Sequence, residues 1–421
     1  MLAECCETEH VELKLDAARE VLLQVVEVMP KEIVPLEDCW RRVMAETVVA
    51  DMDYPPFDRS PLDGYALIAG EVAGATLHRP VKLRQIDNIP AGTVSERCVT
   101  LGTASRIMTG APIPPGATGV VRLEDTKADG DSVYIFAGWG ADKNICFRGE
   151  EMVAQDQVIA AGTVINFGVM GMLAALGKAS PQVFSKPRVA IIATGSEIVS
   201  VHEQLAAGKI RNSNSYMISA QVQEAGALTV MMGSARDDIN EIAGLMLNVP
   251  ECELVITTGG ASVGDYDLIG AVYKKLGIKL LFSRVSMKPG MPVLAGIKDG
   301  KLYIGLSGNP AAAAISFEQL VRAVLMKIGG RKIWERPRVQ VTLTQPFRKK
   351  TGSTRFVWAR CWQDNQIMFA EPLKHSSNGM LKGAINANSL LIIPENSPPL
   401  PTGTNGDAIL LIDSNFGNNS Y

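Results

Sequence analysis

Three glycine-rich segments each follow a short apolar run: Ala193-Thr-Gly-Ser-Glu197, Thr257-Thr-Gly-Gly-Ala-Ser-Val-Gly-Asp-Tyr-Asp267 and Gly305-Leu-Ser-Gly-Asn-Pro310. Glycine lets a backbone approach a ligand closely, and the amides at a helix N-terminus attract phosphate. One such segment is an ordinary tight turn; three in register at strand ends point to a phosphate-bearing ligand. The candidate ligand-holding residues are Thr194, Gly195, Ser196, Gly259, Gly260, Ser262, Gly264, Gly308, Asn309 and Pro310. Acids lie in or beside the same segments: Glu197, Asp265, Asp267 and the pair Asp237–Asp238. Carboxylates beside a phosphate repel it unless a divalent cation bridges them, and Mg²⁺ typically uses one or two carboxylates plus phosphate oxygens. Glu197 and Asp265 are the candidate Mg²⁺ ligands. Asp237–Asp238 fit that chemistry and equally fit capping of a helix beginning near Ile239.

Lys288 stands in Met287-Lys-Pro-Gly-Met-Pro292, where two prolines stiffen the loop and hold one positive charge for an oxyanion. Two further stiff loops carry polar side chains. Pro55-Pro-Phe-Asp-Arg-Ser-Pro-Leu-Asp-Gly-Tyr-Ala66 presents Asp58, Arg59, Ser60 and Asp63, and Arg106-Ile-Met-Thr-Gly-Ala-Pro-Ile-Pro114 presents Thr109. Rigid turns that only shape a small domain would read the same way.

The elements that must position these groups follow from periodicity. Residues 187–330 alternate short apolar strands with helical stretches: strands at 188–193, 228–232, 254–257, 279–283 and 303–305, helices at 215–225, 239–247, 268–276 and 311–328. That alternation predicts βαβ units and a mostly parallel sheet with helices on both faces, whose strand carboxyl ends gather functional groups. Ahead of it, 15–29 reads as a helix with Asp16 as N-cap, and Leu36, Trp40 and Val43 suggest a second helical turn. Residues 51–146 read as a small β-rich domain. A helix around 169–176 returns the chain toward its first segment, and residues from 336 to 416 read as a small all-β domain. The expected division is an extended linker domain (1–50 and 147–186), a β-rich domain (51–146), an α/β domain (187–332) and a C-terminal β domain (336–416).

Bulk properties narrow the function class. The 421 residues carry a net charge of −3, which gives no global field for nucleic acid or anionic lipid, so an anion must be captured locally. The apolar run Phe167 to Gly177 is far below the ~20 residues that span a bilayer, and the N-terminus lacks a secretory pattern, so a cytoplasmic protein is expected. Seven scattered cysteines and four histidines show no metal-ligand or disulfide spacing.

In order, PPFD-S--DGYA (55–66), RIMTGAPIP (106–114), ATGSE (193–197), NSN (212–214), TTGGASVGDYD (257–267), MKPG-P (287–292) and GL-GNP (305–310) make the chain similar to the molybdopterin molybdenumtransferase family, MoeA and the gephyrin E-domain. The resemblance covers nearly the whole chain. It implies a homodimer of four-domain subunits, with a MogA-like three-layer α/β domain, a β-rich small domain, an extended linker domain and a C-terminal β-barrel-like domain. It implies a Mg²⁺-dependent insertion of molybdate into adenylyl-molybdopterin with loss of AMP, and the molybdopterin-adenylating enzyme as a further candidate partner. By the same resemblance Asp63 and Thr109 would come from the partner's small domain, Glu197, Asp238 and Asp265 would be the acids of the main domain, Lys288 would face molybdate or phosphate, and Pro310 would shape the pterin loop. Met291, Ser307 and Glu151 stand where the family usually has lysine, proline and aspartate. A relative that binds molybdopterin or its nucleotide without inserting molybdate, or one that uses tungstate, fits the same motifs.

Overall fold

The computed structural model describes residues 11–137, 140, 144–260, 268–373 and 380–411. Their chain forms two compact units, one drawn from residues 1–45, 162–167 and 180–421, the other from 46–161 and 168–179.

The first unit is centred on a seven-stranded sheet in the order Glu12–Leu13, Lys279–Val285, Pro292–Lys298, Lys301–Leu306, Leu254–Thr258, Arg188–Thr194, Leu228–Ala235. Six strands run parallel and Pro292–Lys298 runs against both neighbours. Its strands are apolar on both faces because helices cover both. Val189, Ile191, Leu254 and Ile256 pack with Leu22, Ile218, Val222 and Val324, whereas Ala190, Ile192 and Val255 pack with Ile242, Met246, Ile269 and Tyr273. The helices Leu15–Gln24, Asn214–Glu224 and the Pro310–Ile328 stretch thus form one layer, with Ile239–Leu247 and Leu268–Leu276 opposite.

Four details depart from the sequence reading. The first helix stops at Gln24, and its N-cap is Lys14, so Asp16 lies in the first turn, where it meets the helix dipole without capping. The stretch after Pro35 is a single 3₁₀ turn, Leu36–Asp38. Pro292–Lys298, of which the sequence reading assigned only Pro292, to a loop, is a full strand. It makes a hairpin with Lys301–Leu306 through Asp299 and Gly300, whose φ values of 50° and 75° suit a two-residue turn. The long helix is α over Pro310–Ser316, π over Phe317–Val321 and α again over Arg322–Ile328.

Beyond it a closed five-stranded barrel forms from Arg338–Leu343, Thr354–Asp364, Ile367–Pro372, Ser389–Ile393 and Asn405–Leu410. Thr354–Asp364 closes the ring by pairing with both Ile367–Pro372 and Ser389–Ile393. Val341, Val357, Ala359, Leu391 and Ala408 fill its interior.

In the second unit a six-stranded sheet runs Gly119–Arg122, Gly64–Leu67, Thr103–Ile107, Val81–Ile89, Ser132–Ile135, Thr126–Asp129. Tyr65, Leu67, Leu83, Val121 and Val133 form its core.

Candidate active site

The strands Arg188–Thr194, Leu254–Thr258 and Lys301–Leu306 are adjacent and parallel, so the three glycine-rich segments leave the sheet side by side at its carboxyl edge. They are locked together by backbone contact. The Gly259 amide donates to the Leu306 carbonyl at 3.1 Å. A Cβ on Gly259, held at φ 102°, would lie 2.2 Å from the Thr194 carbonyl oxygen, so only glycine fits. A Cβ on Gly308 would lie 3.4 Å from the Gly259 Cα. Predicted residues Thr194, Gly195, Ser196, Gly259, Gly260, Gly308, Asn309 and Pro310 therefore line one edge, whereas Ser262, Gly264 and Asp265 lie outside the described residues.

Asn214, given no separate role by the sequence reading, ties this edge together. Its Nδ2 donates to Thr258 Oγ1 (2.8 Å) and to the Gly308 carbonyl (2.9 Å). Among the described residues its Oδ1 is buried without a partner, as are Thr194 Oγ1 and Thr257 Oγ1. A buried polar atom left unpaired costs about 1–3 kcal/mol, so three at one strand edge mark a place where a ligand supplies the missing bonds. The helix beginning at Pro310 has no side-chain cap on its N-terminus, because Asn309 makes no capping bond. The amides of its first turn thus have no side-chain acceptor from the N-cap, which leaves them to an anion. The only local signal for Asn214 was its place in the Asn212-Ser-Asn214 segment.

The acids divide by role. Glu197 is exposed, and its carboxylate folds back over Gly195: a Cβ there would meet Oε2 at 2.7 Å and Oε1 at 2.9 Å. It makes no side-chain hydrogen bond or ion pair to any described residue, leaving an open carboxylate at a strand end. Asp237 instead exchanges bonds with Ser196: its Oδ2 accepts from the Ser196 amide at 2.9 Å, and its own amide donates to Ser196 Oγ at 3.1 Å. Lys209 Nζ donates to the Ser196 carbonyl at 2.7 Å, which fixes the same turn. Asp238 caps the helix Ile239–Leu247, with Oδ1 accepting from the amides of Asn240 and Glu241, both at 2.9 Å. One carboxylate oxygen of Asp238 is thereby engaged. Among the described residues no group of three or more His, Cys, Asp or Glu is placed to hold a metal ion. Glu197 by itself fits an ion that takes one protein carboxylate and phosphate oxygens.

Lys288 is exposed on the short strand Met287–Lys288, which pairs in parallel with Thr354–Arg355 of the barrel. In the second unit, Asp63 Oδ1 accepts from the amide and the hydroxyl of Thr109, each at 2.8 Å. The Thr109 amide first, and its hydroxyl second, hold the Asp63 carboxyl below the usual aspartate range. The two loops carrying these residues are thus joined, as the closeness of Gly110 N–H to the Ser60 carbonyl (2.8 Å) also shows.

Family profiles match along the chain: the MoeA N-terminal region (domain I and II) at residues 13–177, a probable molybdopterin binding domain at 190–327, and the MoeA C-terminal region (domain IV) at 340–411. The chain belongs to the MoeA family of molybdenum-cofactor biosynthesis enzymes. A molybdopterin molybdenumtransferase of Staphylococcus epidermidis is 36% identical over 402 residues, 95% of this chain and 96% of that one. One of Staphylococcus aureus is 36% identical over 384 residues, 91% of each chain. A molybdopterin biosynthesis moeA protein from Pyrococcus horikoshii OT3 superposes with a TM-score of 0.79 at 30% identity, covering 94% of this chain and 99% of that one. The expected multidomain α/β fold with a terminal barrel is therefore that of the MoeA family. Among the described residues no helix is long and apolar enough to cross a membrane.

Proposed function

We propose that this chain inserts molybdate into adenylyl-molybdopterin and releases AMP. The observation that carries the proposal is the carboxyl edge of the parallel sheet, where Asn214 Oδ1 and Thr194 Oγ1 have no partner among the described residues, beside the uncapped helix at Pro310. Such an edge binds a polar ligand with a phosphate, which is what an adenylylated pterin offers. The relatives named as molybdopterin molybdenumtransferases supply the substrate class. Mg²⁺ held by Glu197 and, following the family resemblance, by Asp265 would neutralise the anhydride oxygens. The protein's own part is to orient the anhydride through the glycine-lined amides and to keep Glu197 open toward it. Water adds across the P–O–P bond so that AMP leaves, and the two dithiolene sulfurs replace oxygens of molybdate, which depart with the thiol protons as water.

A homodimer fits the same reading. The helix Phe167–Ala175 is apolar throughout, yet only Leu173 is buried and Phe167 is 84% exposed. A helix apolar on every side belongs in an interior, and a second copy would cover it. In that dimer Asp63 and Thr109 serve the cleft of the partner copy.

Reconstitution tests the reaction. Purified protein, adenylyl-molybdopterin and Mg²⁺ are titrated with molybdate or with tungstate while AMP is followed. Molybdate-dependent AMP release that disappears in Glu197→Ala and Asp265→Ala is the expected result. Nucleotide binding with no oxyanion-dependent release would sink it and leave a pterin-binding relative.

A further inference from the structure

A turn in the first unit holds an arginine where backbone sterics favour glycine. The Arg42 amide donates to the Cys39 carbonyl at 2.9 Å and closes a four-residue turn, and the Arg41 amide pins that turn to the Ile165 carbonyl at 3.1 Å. Arg41 is the third residue of the turn and has φ 62°. Glycine or asparagine normally fills such a place, because a Cβ there crowds the following carbonyl. A strained residue that is also charged and exposed calls for a use of its side chain.

That side chain lies at a small cavity between the turn, Pro187 at the start of the strand Arg188–Thr194, and the end of the helix Arg322–Ile328. The cavity is therefore at the amino edge of the parallel sheet, opposite the glycine-rich segments. Arg41, Arg42, Lys186 and Arg331 line it, and no Asp or Glu is among the described residues that do. Arg42 is the buried member, with only 8% of its surface exposed. Its Nη2 donates to the Phe184 carbonyl at 2.9 Å and to the Glu32 carboxylate, while its Nε is buried with no partner among the described residues. A guanidinium N–H withdrawn from water and left unbonded is costly, so it marks a missing acceptor. Arg331 reaches over the turn at Gly226, where a Cβ would lie 3.7 Å from its Nη2. Glu32 offsets the Arg42 charge. Arg41 and Lys186, both exposed at the rim, make no ion pair or side-chain hydrogen bond to any described residue. The cavity measures about 20 Å³, where a single water needs about 10–15 Å³, so it has room for one compact ion.

We propose that this cavity binds one phosphate group, with Arg42 as its fixed donor and Arg41 and Lys186 closing on it from the rim. Guanidinium forks and an ammonium match the oxygens of a tetrahedral anion, and the unbonded Arg42 Nε supplies a donor already in place. The group is a free phosphate ion or the phosphoryl end of a larger ligand, which the exposed rim admits. The site stands apart from the proposed transfer at the carboxyl edge and does not depend on it.

The test reads Lys186 directly. Full-length protein in phosphate-free buffer is labelled with an amine-acetylating reagent while inorganic phosphate is titrated at constant ionic strength, and each lysine is followed by peptide mass mapping. Saturable protection of Lys186, with exposed Lys127 of the second unit unchanged, is the expected result. Arg41→Gly should move the midpoint of protection about tenfold or more to higher phosphate, as loss of a charged hydrogen bond does. The same variant should unfold at a higher temperature without phosphate, because glycine adopts this φ freely. No saturable protection, equal protection of Lys127, or an unchanged midpoint in Arg41→Gly would overturn the site. Lost protection together with a lower unfolding temperature in Arg41→Gly would assign Arg41 to the fold and overturn it as well. Protection by AMP as well as by phosphate supports the site and assigns the group to a larger ligand; protection by phosphate but not AMP supports it and assigns the free ion. Equal protection by chloride would replace the tetrahedral anion with a halide and overturn the proposal.

Discussion

Asp63 illustrates how one side chain records its loop. Two bonds from Thr109 favour its ionised form, so its folded pKa lies below the ordinary value of about 3.9. A depressed carboxyl stabilises the fold above the unfolded pKa, and that contribution disappears as the pH falls through the folded pKa. Acid should therefore loosen the joined loops at 55–66 and 106–114 below about pH 4. In Thr109→Val the amide bond remains and the hydroxyl bond goes. The Asp63 midpoint, followed by carboxyl carbon NMR, should move upward toward that of a free aspartate; an unchanged midpoint would show that the hydroxyl contributes nothing. The sequence placed Asp63 and Thr109 in two stiff loops 46 residues apart, but nothing in their spacing joined them. Asp238 shows the opposite case. The sequence permitted capping and chemistry equally, and the structure shows Oδ1 capping through two amides.

Among the elements, the hairpin between Pro292–Lys298 and Lys301–Leu306 is the clearest departure from the sequence reading. Its apolar residues follow a proline-rich loop, which hid the strand, although Asp-Gly between two β-prone runs is a strong hairpin signal. Gly300 has φ 75° and open space where a Cβ would sit, so only its backbone conformation is at stake. Gly300→Ala should cost about 1–2 kcal/mol in urea unfolding, since alanine resists a left-handed conformation. A neutral result would mean the turn relaxes to another type. The parallel strands were legible because burial on both faces leaves continuous apolar runs such as Val189–Ala193. The barrel strand Ser389–Ile393 was not, because closure by Thr354–Asp364 joins residues 30 to 38 positions apart, from Ala359↔Ser389 to Arg355↔Ile393.

For the whole molecule, the exposed apolar helix Phe167–Ala175 supports the proposed homodimer, and that proposal predicts a cleft completed by two copies. If Asp63 acts in the partner's cleft, two inactive variants should rescue one another. Asp63→Ala mixed with Glu197→Ala, after subunit exchange, should recover about a quarter of the wild-type rate, since half the dimers are mixed and each has one complete cleft. No recovery, with exchange verified by differential tags, would place both residues in one copy's cleft or outside the reaction.

The sequence by itself determined the class of fold, the three phosphate-type segments and the family, because glycine spacing and apolar periodicity are local properties that survive in any single chain. Only the tertiary structure decided which groups are left unpaired. Asn214 Oδ1, Thr194 Oγ1 and Thr257 Oγ1, unpaired among the described residues, look in sequence like any amide or hydroxyl. Their meaning comes from burial and from the absence of partners among residues far away in the chain, and satisfaction of a polar group is a property of three-dimensional packing.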